Sequence, residues 1–88
     1  MMLHLRADVS TADTDDGMVL LDERAGRYWQ LNPSGAFVLR LLLDGAAPRQ
    51  VAQILADRHA VSTAQVAADI TALLERLHAA GLVATVQP

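Results

Sequence analysis

The dipeptide Asn32-Pro33 constrains this chain more than any other feature. Ahead of it, Val19 to Glu23 and Arg27 to Leu31 are two short runs rich in β-branched, aromatic and aliphatic residues, joined by Arg24-Ala25-Gly26. A three-residue connection whose glycine takes the φ > 0 position makes a hairpin. The second strand cannot pass Asn32. That residue is a good helix N-cap, and Pro33 suits the first helical position, where its missing N–H would have gone unpaired anyway. Beyond the junction, Ala36 to Leu43 reads AFVLRLLL, apolar on almost every face. Such a helix must be covered from several sides, and the other elements supply the cover.

Upstream, Leu3, Leu5 and Val9 alternate with His4, Arg6 and Asp8, the period of a half-buried strand, which is expected to be the first of a three-stranded sheet. Ser10 to Asp16 lacks apolar periodicity and reads as a solvated loop; it also lacks the glycine and terminal glutamate of a calcium loop. Downstream, Asp44-Gly45 stops the first helix. Pro48 opens a second that runs to about His59, with Val51, Ile54 and Leu55 facing inward. The third helix begins at a capping box, Ser62 with Gln65, and a hydrophobic staple, Val61 with Val66. It ends at Gly81, with Leu82 placed to pack back on Leu77. Its apolar stripe is Val66, Ile70, Leu73 and Leu77, flanked by Leu74 on one side and by Asp69 and Arg76 on the other. Val83 onward is either a short strand or a frayed tail. The expected fold is α+β and winged helix-turn-helix-like, a three-stranded antiparallel sheet followed by a three-helix bundle. Residues 1–88 form a single domain.

Several function classes drop out. The chain has no cysteine, so neither a disulfide framework nor a thiolate metal site is available. His4, His59 and His78 are not at metal-ligand spacing, and the five glycines never approach a phosphate-cradling pattern. Ser34, His59 and Asp57 lack a nucleophile elbow to organise them. No catalytic residue, metal or cofactor is expected. No apolar run approaches the ~18 residues of a membrane span, and the expected setting is cytoplasmic. Net charge is −3 and there is no lysine at all. The third helix offers Arg76 and His78 against Asp69 and Glu75, a poor footing for a winged-helix DNA reader, which needs several phosphate contacts.

Peptide binding remains. If Arg27 to Leu31 ends the sheet, its free N–H and C=O groups can pair with an extended segment, and the neighbouring helix can supply pockets for alternate side chains. Tyr28 and Trp29, the only Tyr and Trp in the chain, sit on that strand. The residues alone leave Trp29 open between core, beside Leu31, and groove.

The run GRYWQLNPSGAFVLRLLLDG, the order of three strands and three helices, and the closing LLERLHAAGLV together resemble the PqqD-like RiPP recognition elements, most closely the stand-alone leader-binding proteins of lasso peptide biosynthesis. The resemblance covers roughly Met18 to Val83. It implies a non-enzymatic domain that grips the leader of a ribosomally made precursor between its third strand and third helix. It also implies delivery to a separate enzyme, in lasso systems a transglutaminase-like cysteine protease that acts before a cyclase closes the macrolactam; relatives in pyrroloquinoline quinone synthesis serve a radical SAM enzyme instead. Carried onto this sequence, the strand side of the groove is Tyr28, Trp29, Gln30 and Leu31. The helix side is Val66, Asp69, Leu73, Arg76 and Leu77.

Overall fold

The computed structural model describes residues 2–86. Four strands come first: β1 (Met2–Leu5), β2 (Val9–Thr14), β3 (Gly17–Asp22) and β4 (Arg27–Leu31). Three helices follow, α1 (Pro33–Leu43), α2 (Pro48–His59) and α3 (Thr63–Ala79), and a last strand, β5 (Val83–Val86), closes the described chain. The strands form two antiparallel sheets. One is β2-β3-β4 in that order; the other pairs β1 with β5, Met2 opposite Val86 and Leu5 opposite Val83.

The hairpin of β3 and β4 forms where expected, with Leu20 opposite Trp29 and Gly26 at φ 67°, but β3 starts at Gly17 and ends at Asp22, so the connection is four residues, Glu23 to Gly26, rather than three. Asp22 Oδ1 accepts from the backbone N–H groups of Arg24 and Ala25 and so organises the turn. Asn32 caps α1 by accepting from Gly35 N–H at 2.8 Å, and Pro33 opens that helix. Leu82 N–H donates to Leu77 O and Gly81 N–H to His78 O, the paired bonds that end α3. At its start Ser62 Oγ accepts from Gln65 N–H. The α2–α3 turn was not legible in detail: Ala60 takes the left-handed conformation at φ 53° that a glycine usually supplies.

Four expectations are corrected. Residues 10–14 are not a loop but most of β2, which pairs with β3 along its whole length. The segment reads as solvated because every residue of β2 after Val9 is exposed, so no alternation of burial marks the strand. Val9 belongs to β2 rather than to the first strand. The first strand is not part of the three-stranded sheet; Leu3 is buried in the core while β1 pairs with the chain's far end. Finally, Ile54 does not face inward: it is 40% exposed, and the smaller Ala52 and Ala56 fill the α2 core positions with Val51 and Leu55.

Helix α1 is central, packing against β1, β3, β4 and α2. Its Ala36, Val38, Leu39 and Leu42 join Leu20, Leu31 and Leu82 in one aliphatic core, and no polar or charged residue is buried among the described residues. The partly buried remainder includes Phe37, capped by the Arg58 guanidinium 4.8 Å from its ring centre. Arg40 of α1 reaches Asp13 of β2 as an ion pair whose partners are both largely exposed, a contact of little energetic weight.

One glycine is irreplaceable on steric grounds. Gly17 stands at φ 138°, and a Cβ there would collide with the Leu31 carbonyl oxygen and lie 2.8 Å from Asn32 C. Gly17→Ala is expected to destabilise the domain by about 2 kcal/mol or more, combining backbone strain with a forced shift of the β4–α1 junction. Urea denaturation checks this, with Gly26→Ala, whose added methyl meets nothing within 4 Å, as the milder comparison.

Candidate functional site: the cleft between β4 and α3

Helix α3 packs on α2 and β5, and a cleft of about 700 Å³ is left between it and β4. Both walls follow from local sequence. On one side the three-stranded sheet ends at β4, whose second edge has no strand beside it among the described residues. Half of its backbone N–H and C=O groups therefore point away from β3, towards the cleft. Strand β4 stays short because Asn32-Pro33 turns the chain into α1, and the turn itself, Asn32 to Gly35, lines that end of the cleft. On the other side α3 presents its apolar stripe. Val66, Ile70, Leu73 and Leu77 form the floor, which Leu31, Val38 and Leu55 continue from β4, α1 and α2.

The floor and the rim differ in what they can offer a ligand. Leu73 is 8% exposed and Leu77 3%, so neither has much surface left to bury. Trp29 at 38% and Val61 at 43% have far more, and both line the cleft. Trp29 thus belongs to the groove wall as well as to the inner sheet face it shares with Leu20 and Leu31. The Arg27 guanidinium sits 5.9 Å from its ring centre. The polar rim comprises Gln65, Asp69 and Arg76 of α3; Gln30, opposite Val19 and so on the same sheet face as Tyr28, borders the cleft along the β4 edge, while Ser34 and His59 stand where α1 and α2 meet the cleft.

Eight of the nine expected site residues line this cleft: Trp29, Gln30, Leu31, Val66, Asp69, Leu73, Arg76 and Leu77. Tyr28 does not. Side chains alternate along a strand, so Tyr28 falls on the outer sheet face opposite Leu21, where it is 73% exposed beside Val19. Sequence reasoning missed Val61, Gln65 and His59. The first two were visible as the staple and cap of α3, a helix-stabilising role that hid their position at the cleft mouth. Placing His59 requires knowing how α2 turns into α3.

The described residues include no group of three or more His, Cys, Asp or Glu able to hold a metal ion, and no helix among them is long and apolar enough to cross a membrane. The cleft is lined by one indole ring, aliphatic side chains, the polar groups of Asn32, Ser34, His59 and Gln65, the rim charges of Asp69 and Arg76, and a strand edge with no neighbour among the described residues. These suit holding an extended chain rather than activating a bond. The contrast between wall and floor makes a measurable difference in stability. Leu73→Ala should cost about 2 to 4 kcal/mol, as a buried leucine does, whereas Trp29→Ala should cost less than its size suggests because the ring is already partly in solvent. Chemical denaturation of both variants checks the order.

The chain matches the family model described as coenzyme PQQ synthesis protein D (PqqD) over residues 17–83. No curated protein matches it. Among solved structures it is similar to a lasso peptide synthetase B1 complexed with the leader peptide, at 42% identity and a TM-score of 0.92, covering 97% of this chain and 100% of that one. It is also similar to TbiB1 in complex with the TbiA(beta) leader peptide, at 25% identity and a TM-score of 0.85, covering 100% of both chains. The match to the family model spans both walls of the cleft, and the chain belongs to the PqqD family.

Proposed function

We propose that this protein binds the leader region of a ribosomally made precursor in lasso peptide biosynthesis and does no chemistry on it. In this reading the leader adds a strand to the free edge of β4, lies in the cleft against α3, and is delivered to a separate leader peptidase, a transglutaminase-like cysteine protease, ahead of the cyclase. The observation that carries the reading is the unpaired β4 edge facing an apolar cleft. Support comes from the two similar structures, both of which are complexes with leader peptides. A sheet backed by three helices is then a winged helix-turn-helix-like scaffold used for peptide rather than for DNA, since fold alone does not fix function. The absence of lysine and the mixed charge of α3 argue against a duplex surface. Membership of the PqqD family keeps a second reading, a peptide chaperone for a radical SAM enzyme; the 42% identity to a lasso synthetase B1 favours the first.

Energetics say which residues must matter. Each new ladder hydrogen bond contributes about 0.5 to 1.5 kcal/mol net, and ordering a flexible leader costs about 2 to 5 kcal/mol or more. Submicromolar binding needs more than about 8 kcal/mol, so side chains carry the balance. The largest apolar surface still open in the cleft belongs to Trp29 and Val61, with Leu73 and Leu77 shaping the floor beneath.

Isothermal titration with a panel of synthetic leader peptides from lasso precursors should give saturable binding of at least one, with the peptide mass unchanged afterwards. Trp29→Ala should weaken it by about 2 kcal/mol. On binding, the amides of Arg27 to Leu31 should gain hydrogen-exchange protection while those of Gln50 to Arg58 do not. Salt-sensitive affinity for duplex DNA with none for the leader would overturn the proposal.

A further inference from the structure

Helix α3 carries two ridges into the cleft. At about 100° per residue, Val66, Ile70, Leu73 and Leu77 point one way, while Gln65, Asp69, Ala72 and Arg76 point about 100° to one side. The first ridge is buried floor; the second is exposed rim, and all of it lines the cleft. Within the rim, Asp69 and Arg76 are opposite charges two helical turns apart. Neither has an ionic partner: among the described residues the one ion pair joins Arg40 to Asp13. The β4 residues that line the cleft, Trp29, Gln30 and Leu31, are uncharged, the Arg27 guanidinium standing beside the Trp29 ring at the strand's start, and the remaining titratable group in the lining is His59.

Neither of the other two sources of affinity fixes where a peptide sits. Backbone pairing is blind to sequence, and a floor of Val, Ile and Leu accepts any aliphatic side chain. A slip of one residue would turn every peptide side chain to the wrong face. Something must define register, and the unmatched rim charges are placed to do so. Seven residues of helix span about 10.5 Å. On an extended strand, residues facing the same side lie about 7 Å apart at a spacing of two and about 13 Å at a spacing of four, which brackets that distance.

The geometry points to a charge register in the bound peptide: a basic residue opposite Asp69 and an acidic residue opposite Arg76, two or four positions apart, which together set its direction and its alignment. This rests on the strand-addition reading above. A reversed peptide would bring like charges together at both positions, so discrimination between directions exceeds the small contribution each exposed pair makes to affinity.

The test is a display selection of random-sequence peptides on the full-length protein and on the double variant Asp69→Arg/Arg76→Asp. Peptides whose capture falls with Trp29→Ala are counted as cleft ligands. From the unmodified protein these should carry a basic and an acidic residue at the stated spacing; from the double variant they should carry the pair in the opposite order. Peptides selected on the unmodified protein should bind the double variant about tenfold more weakly at low salt, a gap that closes at high salt. Thermal melting verifies that the double variant is folded, and the single variants Asp69→Asn and Arg76→Gln should each remove the matching charge from the selected sequences. Trp29-dependent peptides with no opposite-charge pair, or with the same order on both proteins, overturn the charge register and leave strand addition standing. If no selected peptide depends on Trp29, both fail.

Discussion

The junction between β4 and α1 holds this structure together. Asn32 Oδ1 accepts the Gly35 N–H, Pro33 sets the first helical turn, and Gly17 leaves just enough room for the Leu31 carbonyl oxygen. Three elements are pinned at one place: the start of β3, the end of β4 and the start of α1. Because Leu31 and Leu39 enter the same core on either side of the junction, the strand edge is fixed relative to the helix beneath it. The position of the cleft's strand wall is therefore set by a hydrogen bond, a proline and a missing methyl group.

The hairpin, the three helices and most of the cleft were legible in the sequence because they rest on local rules. Caps, a staple, turn residues and a 3.6-residue stripe all agree with one another around Asn32, Ser62 and Gly81. The errors fall where burial does not alternate or where pairing is distant. Strand β2 is almost wholly exposed, so it shows no period of two. The partner of β1 lies at the other end of the chain, and nothing in Leu3 or Leu5 says whether Val83 or Val19 lies alongside. Within the cleft, the direction of α3 was readable from its stripe. Tyr28 was misplaced because it was grouped with its neighbour Trp29, although strand geometry sends adjacent side chains to opposite faces.

Along α3 the cleft separates residues buried in the core from residues exposed at the rim. The floor residues of α3 are almost fully engaged in the core, so they shape the groove without having much surface left to bury. The rim residues contribute little to the fold and stand free to contact what enters. In the reading proposed above, positions such as Leu73 and Arg76 would change for different reasons: the first through the stability of the fold, the second through what the cleft prefers.

The pairing of β1 with β5 has a consequence for how such a domain can be joined to others. Met2 and Val86 are opposite each other in a two-stranded sheet, and both walls of the cleft lie between them in sequence. A polypeptide that entered at one and left at the other would return to nearly its starting point, so its host would bear little loop-closure entropy. The entering and leaving strands are thereby held together in a sheet separate from the one that carries β4.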